Sequence, residues 1–381
     1  MAASPFIAWF YKKPELTPIL LVVALNFLFS SFTIIQQTIL TKEMDFKSLA
    51  IRDVAAVILA GVIGITLAYH GFGVWSLVYQ LLSFTLINAI LLWFLSPWRP
   101  RLQFAVSDIK DIFRFSAHLT GFNIVNYFAR NIDQLLIGKV LGAEMLGYYS
   151  LAYKIVLYPL QNISWIIGRV MFPAFSKVQN DLEKVRDVFL KMVKAISLVT
   201  FPMMSGVFAM APEFVSVIFG SKWTPVIGLL RILCFCGMFQ SIGTTIGNIL
   251  LSQGRVDLQF KMQIRGTLIV TCAILLGFKW GLVGVAVFYL IYSIAWVHYT
   301  LFVVCKLMQL KFSEFYRRLF PAYGVSLSIL LWILALKKIL MFSSLFSLVI
   351  LIIAGSIFYL IFLVLNGNIR IFNRRLSLNF D

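Results

Sequence analysis

Apolar residues run along this chain in long blocks, without period-two alternation. Ile19 to Phe32, Val54 to Ala68 and Ser343 to Leu365 are examples. A block of about 20 residues, at about 1.5 Å per residue, matches the hydrocarbon thickness of a bilayer. Backbone groups in lipid must bond within their own segment, so each block is predicted to be a helix. Eleven spans are predicted, at 17–40, 54–69, 73–96, 116–138, 145–172, 195–211, 224–251, 266–278, 281–305, 319–336 and 343–366. The weakest is the eighth, whose apolar part, Leu268 to Leu276, is short and follows Arg265. The connections are too short for a separate soluble domain. Met1 to Phe10 lacks a basic start and a cleavage site, and Lys12 and Lys13 follow it, so it does not read as a signal peptide.

Composition agrees. The 381 residues are 61% hydrophobic and 13% charged, where a soluble domain carries about 25% charge. The net charge of +18 would suggest nucleic acid in a soluble protein. Its distribution says otherwise. Of the 33 Lys and Arg residues, 22 fall on one set of alternate connections and 7 on the other. The basic set includes Lys42, Arg99, Lys184, Lys194, Arg265, Arg317, Arg318 and Arg375. Such a split marks the cytoplasmic side. The C-terminus is therefore expected in the cytoplasm, and no nucleic-acid partner is expected. Two basic-side connections, Ser107 to Phe115 and Asp181 to Val193, mix apolar residues with both signs of charge and predict surface helices in the interface. Cys234, Cys236, Cys272 and Cys305 all lie in apolar blocks and read as small buried hydrophobes.

The chain also repeats itself. Thr17-Pro18 resembles Thr224-Pro225, Phe29-Ser30-Ser31 resembles Phe239-Gln240-Ser241, and Ile39-Leu40 resembles Ile249-Leu250. Asp45 matches Asp257, and Gly73-Val74 matches Gly284-Val285. Each copy is three spans in the same direction, a parallel repeat. Three further spans precede the second copy. By analogy, three spans are expected to be missing before Met1, as in a shortened version of a fourteen-span protein.

Charged groups inside spans are costly and face a cavity or a partner. In the fourth span Asn123, Asn126, Arg130 and Asp133 recur at helical spacing, with Gln134 beside them. In the fifth, Lys154, Tyr158, Gln161 and Trp165 form a second stripe, with Asn162 and Arg169 alongside; Arg231 lies in the seventh. A wet, cationic groove between helices accounts for both stripes. Two alternatives stand: Arg130 and Asp133 neutralise each other, and Arg169 and Arg231 snorkel to the membrane surface. Lys154 is the strongest single candidate for a functional cation. Gly138 and Gly142 have the spacing of a close helix contact. There is no HExxH motif, P-loop or paired-carboxylate motif, and the three histidines are scattered, so no metal, no cofactor and no enzymatic activity are expected.

The stretch Asn131-Ile-Asp133-Gln134-Leu-Leu-Ile-Gly138-Lys139 through Leu146-Gly147-Tyr148-Tyr149-Ser150-Leu-Ala-Tyr153-Lys154 closely resembles the polysaccharide transporter family. So do Pro159-Leu-Gln161-Asn162, Phe172-Pro173-Ala and Gly71-Phe-Gly73-Val74-Trp75-Ser76-Leu. The resemblance covers nearly the whole chain. It is to Wzx-type lipid-linked oligosaccharide flippases of the multidrug/oligosaccharidyl-lipid/polysaccharide exporter superfamily, nearest the colanic acid and teichuronic acid exporters. It implies an all-α integral membrane protein with a two-lobe flippase fold of about eleven helices and an incomplete first lobe. Residues 1–111 would be the rest of the N-terminal lobe, 112–309 a six-helix C-terminal lobe, and 310–381 an additional helix pair with a cytoplasmic tail. The implied function is flipping of an undecaprenyl-pyrophosphate-linked oligosaccharide across the bacterial inner membrane. Its expected partners are that substrate, membrane lipids and the polysaccharide polymerase machinery. Arg130, Lys154, Arg169 and Arg231 would contact phosphate. Asp133 would hold Arg130 or carry a coupling proton. Tyr153, Tyr158 and Trp165 would face sugar rings. The alternative is a membrane-embedded glycosyltransferase, polymerase or ligase acting on the same lipid carrier. A drug antiporter is disfavoured, because a cavity for cationic drugs should be acidic.

Overall fold

The computed structural model describes residues 4–96, 98–99, 113, 120, 127–128, 130–178, 181–253, 255–339, 345–365, 369–372 and 375–378; side chains at 164–178, 248, 251–252, 256, 339, 365 and in the two C-terminal strands are not described. The chain forms two compact units, Met1–Gly121 and Phe122–Asp381.

The first unit contains α1 (Ser4–Tyr11), α2 (Leu16–Val23), α3 (Leu25–Ser31), α4 (Ile34–Lys42), α5 (Phe46–Tyr69) and α6 (Val74–Leu95). The span expected at 17–40 is broken, with a bend of 40° between Leu16–Ser31 and Ile34–Lys42. Hydroxyl groups cluster at the break. Ser30, Ser31 and Thr33 donate to the carbonyls three residues back, Phe27, Leu28 and Ser30, at 3.1, 2.7 and 2.7 Å. Such bonds compete with the helical ladder. Helix α6 holds the bend: the Trp93 indole donates to the Phe32 carbonyl at 3.1 Å, and the Thr85 hydroxyl donates to the Asn26 amide oxygen.

Helices α5 and α6 pack through small residues. Ala56, Ala60 and Gly64 are buried one turn apart on α5, which lets the backbones approach. A Cβ at Gly64 would lie 2.9 Å from the Gln80 side chain. The other faces of α5 expose Val54, Val57, Ile58, Val62 and Ile65, a surface suited to lipid. Asp45 caps α5, accepting from the Ser48 amide at 3.1 Å and its hydroxyl at 2.6 Å. These bonds hold the Asp45 carboxyl below its ordinary pKa.

The second unit is helical over 130–140 (α7), then forms α8 (Ala143–Val178), α9 (Leu182–Ile218), α10 (Val226–Ser252), α11 (Val256–Gly277), α12 (Gly281–Leu307), α13 (Phe312–Ile339) and α14 (Leu345–Leu365). A short antiparallel hairpin, Ile369–Phe372 with Arg375–Leu378, follows. Helix α10 is central and touches α8, α9 and α12; α11 pairs with α12, and α13 and α14 pack on α9. Gly277 and Gly284 make the α11–α12 turn tight: a Cβ at Gly277 would lie 2.7 Å from the Val285 Cα. Gly142 ends α7 with φ of +90° and open space around it. It is a turn residue, so the expected Gly138–Gly142 helix contact does not form at that end.

Among the described residues seven helical stretches are long and apolar enough to cross a membrane, or eight with the bent pair taken as one; Asp257–Leu307 counts once and comprises α11 and α12. This is a multi-pass helical membrane protein. On the basic side, helices run past their apolar blocks. α5, α9, α11 and α13 start at Phe46, Leu182, Val256 and Phe312, where hydropathy alone suggests starts at 54, 195, 266 and 319. Lys and Arg are good helix formers, so charge ends the apolar block without ending the helix.

The connection Asp181 to Val193 is corrected by this extension. It is no separate interfacial helix but the start of the 37-residue α9. Val185, Phe189, Leu190 and Val193 are buried in a core with Met308, Leu310 and Phe315. The Phe189 and Phe315 rings stack at 6.0 Å. Its apolar face is thus covered by α13 and the α12–α13 turn instead of by lipid. The other expected surface helix, Ser107 to Phe115, lies outside the described residues except Phe113.

Pro202 lies inside α9. It has no N–H to give the Leu198 carbonyl four residues back. The Tyr359 hydroxyl on α14 donates to that carbonyl at 3.0 Å. Tyr359→Phe should therefore cost about 1–3 kcal/mol, measured as the unfolding midpoint of the purified protein in detergent. In a Pro202→Ala background the helix supplies its own donor, and the cost of Tyr359→Phe should largely vanish. Equal costs in both backgrounds would break this link.

Candidate functional site

Helices α7, α8, α10, α11 and α12 surround a cavity of about 430 Å³ inside the second unit. Its openness comes from residues that α10 and α11 lack. Gly243 and Gly247 lie one turn apart on α10 and line the cavity, as does Gly266 on α11, which packs against α12. A Cβ on Gly266 would lie 2.8 Å from the Trp296 ring. Without it, the indole packs closely against the helix.

The wall is polar where a membrane core is usually apolar. Arg130 and Asp133 enter from α7, and Gln259, Gln263 and Thr267 from α11. Asp133 is only 4% exposed. The Tyr149 hydroxyl donates to its Oδ2 at 3.0 Å. Asp133 Oδ1 and Gln259 Oε1 are buried acceptors without a hydrogen-bond donor among the described residues. Arg130, one turn before Asp133, is exposed. Among the described residues no ion pair joins the two, so the mutual neutralisation considered above does not form.

Phenols link the carboxylate to the far wall. Tyr149 stacks on Tyr153 at 5.9 Å with 9° between planes. The Tyr153 and Tyr289 hydroxyls lie 3.3 Å apart, and the Gln240 amide donates to Tyr289 at 2.9 Å. On α12, Tyr289, Tyr292 and Trp296 line one side of the cavity at helical spacing. Tyr292 and Trp296 stack at 5.9 Å. The arrangement offers a cation, amide and hydroxyl groups, and aromatic faces. That set suits a polar, hydroxyl-rich ligand carrying negative charge.

Of the residues singled out from sequence, the cavity brings together Arg130, Asp133 and Tyr153. Gln134 is half-buried on α7 outside its lining. Lys154, Tyr158 and Gln161 share an exposed stretch of α8, with Tyr158 74% exposed; Asn162 there donates to the Tyr158 carbonyl at 2.8 Å. Arg231 sits near the start of α10, its guanidinium 5.7 Å from the Phe208 ring centre, a cation–π contact. Twelve residues of helix, about 18 Å, separate it from Gly243. Asn123 and Asn126 lie outside the described residues, as do the side chains of Trp165 and Arg169. Gln259, Gln263, Tyr292 and Trp296 were not singled out. The two glutamines fall in a stretch that hydropathy assigns to a connection. The aromatic pair is legible as a stripe within the span at 281–305.

The sequence pattern of the family described as "Polysaccharide biosynthesis protein" matches residues 1–228. The chain belongs to this family. It is 31% identical over 302 residues to the lipopolysaccharide biosynthesis protein WzxC of Escherichia coli (strain K12), covering 77% of this chain and 61% of that one. It is 30% identical over 344 residues to the teichuronic acid biosynthesis protein TuaB of Bacillus subtilis (strain 168), covering 86% of this chain and 70% of that one. The chain thus spans about 61% and 70% of the length of these two family relatives. Among solved structures it is similar to lipid II flippase MurJ in an inward closed conformation. The TM-score is 0.68 at 17% identity, with 92% of this chain and 74% of that one covered. The chain therefore shares the fold of that protein, as expected from its sequence.

Asp133 can be tested as a structural group separately from any transport role. Asp133→Asn keeps an acceptor for Tyr149 and should leave the unfolding midpoint in detergent close to wild type. Asp133→Ala strands the buried Tyr149 hydroxyl and should cost about 1–3 kcal/mol. A large loss in the Asn variant would show that the negative charge itself holds the fold.

Proposed function

We propose that this protein carries an undecaprenyl-pyrophosphate-linked oligosaccharide across the bacterial inner membrane, for exopolysaccharide or lipopolysaccharide synthesis, without altering it covalently. The observation that carries this reading is the cavity, which an exposed guanidinium, glutamine amides and aromatic rings line inside an apolar helix bundle. A pyrophosphate-sugar headgroup needs such a wet, cationic path, while its polyprenyl tail remains in lipid. Arg130 meets phosphate, and Gln259 meets sugar hydroxyls. Lys154, Arg169 and Arg231 are further phosphate contacts along the path, and Gln134, Tyr158, Gln161, Trp165, Asn123 and Asn126 line it. Asp133 carries a coupling proton or ion. The family and the flippase fold support this reading, as does the biosynthetic role named for WzxC and TuaB.

In the same reading, 1–111 belongs to an N-terminal lobe, 112–309 forms a six-helix lobe, and 310–381 adds a helix pair with its tail. The surplus of Lys and Arg on alternate connections supports a cytoplasmic side for those connections and for the C-terminus. The polysaccharide polymerase machinery receives the flipped product.

The test is reconstitution into vesicles with a fluorescent lipid-linked oligosaccharide. Translocation without covalent change is expected; a new glycosidic bond would instead mark a membrane-embedded glycosyltransferase or polymerase. Arg130→Gln should weaken apparent substrate affinity by roughly 10- to 100-fold, the value of one hydrogen bond to a charged group. Lys154→Ala, made in parallel, should also slow translocation with little loss of protein from the membrane. Unchanged transport in either variant removes that cation from the path.

A further inference from the structure

A second charged recess lies away from this cavity. Helices α9 and α13 border a space of about 380 Å³ lined by Lys194, Glu314, Arg317, Arg318 and Pro321. We propose that it binds the phosphate headgroup of an anionic membrane phospholipid. Three cations face one carboxylate there. Neither Arg317 nor Arg318 has an ion-pair partner among the described residues, although Glu314 lies one turn before them. Neighbouring cations on α9 are already committed. Lys184 pairs with Asp181 at 2.9 Å, Lys191 pairs with Asp187 at 3.0 Å, and Arg186 donates to the Met308 carbonyl at the end of α12. Lys194, also on α9, is only 7% exposed.

The position matches a headgroup. The apolar blocks of α9 and α13 begin at Ala195 and Leu319, so the cations sit where hydrocarbon gives way to the interface. The acyl chains also have a surface. Arg317, Phe320, Gly324, Leu327 and Leu331 follow one another at spacings of 3, 4, 3 and 4, on one face of α13, and all are exposed. A lipid whose phosphate meets the Arg317 and Arg318 guanidiniums can lay its chains along this stripe. Guanidinium groups suit phosphate because their paired N–H groups reach two oxygens at once, and basic pockets between helices at the cytoplasmic face suit anionic headgroups.

The experiment uses the full chain in nanodiscs of phosphatidylcholine, with and without phosphatidylglycerol, read by lipid retention in native mass spectrometry. Wild type should retain phosphatidylglycerol in preference to phosphatidylcholine. Arg317→Gln/Arg318→Gln should weaken that retention about 30-fold, the loss expected for two basic groups at a membrane surface. Lys42→Gln/Lys47→Gln, which removes two basic-side charges of the first unit, should leave it unchanged. If the arginine variant does not fold, raising salt from 0.1 to 1 M on the wild type serves instead. It shortens the screening length from about 10 to about 3 Å and should remove the preference. The proposal is overturned by equal retention of the two lipids, by a preference that survives loss of both arginines or high salt, or by an equal loss in the lysine variant. It is also overturned if undecaprenyl pyrophosphate displaces phosphatidylglycerol at equal concentration, which would assign the recess to the carried lipid.

Discussion

In lipid, a backbone carbonyl that loses its helical donor cannot turn to water, and that constraint organises much of this protein. Pro202 frees the Leu198 carbonyl, and Tyr359 reaches across from α14 to take it. The break at 32–33 frees the Phe32 carbonyl, and Trp93 on α6 supplies the donor. Beyond the apolar blocks, Arg186 on α9 likewise donates to the Met308 carbonyl at the end of α12. Each repair ties two helices together at a defined depth. Interruptions in the helices thus become tertiary contacts.

The second constraint is approach distance. Lipid offers helices little hydrophobic reason to associate, so close packing supplies much of the attraction. Ala56, Ala60 and Gly64 bring α5 onto α6, and Gly277 with Gly284 closes α11 onto α12. Gly266 likewise lets the Trp296 ring of α12 approach α11, whereas Gly243 and Gly247 do the opposite at the cavity. There the missing side chains leave room that polar groups from α7 and α11 then line. The same residue type closes one interface and opens another, according to what stands opposite.

The cavity and the recess at α9 and α13 show two ways of placing charge at membrane depth. In the cavity, Arg130 is exposed and Asp133 is held by a phenol, with no ion pair between them. In the recess, cations gather at the membrane boundary with one carboxylate among them. Elsewhere, charges are matched directly: Lys337 on α13 meets Glu213 on α9 at 2.7 Å with both largely buried. The contrast separates groups that hold helices together from groups left facing a space.

Much was settled by the sequence alone. Apolar block length announces a helical membrane protein, because hydrocarbon thickness admits few other solutions. The motif around Asp133 to Lys154 pointed to the polysaccharide transporters, and Arg130 with Asp133 stood out because charge is costly in a span. Helix starts were misread by hydropathy, since Lys and Arg interrupt an apolar block while continuing the helix. That hid the buried face of α9 and left Gln259 and Gln263 in a supposed connection. Which polar residues share one space was decided only in three dimensions. Lys154 and Arg130 both look functional in one dimension, yet only Arg130 lines the cavity, because the angle at which α7, α8 and α10 pack determines what each helix face meets. Helical periodicity assigns a residue to a face; only the neighbouring helix decides whether that face meets a partner, a cavity or the exterior.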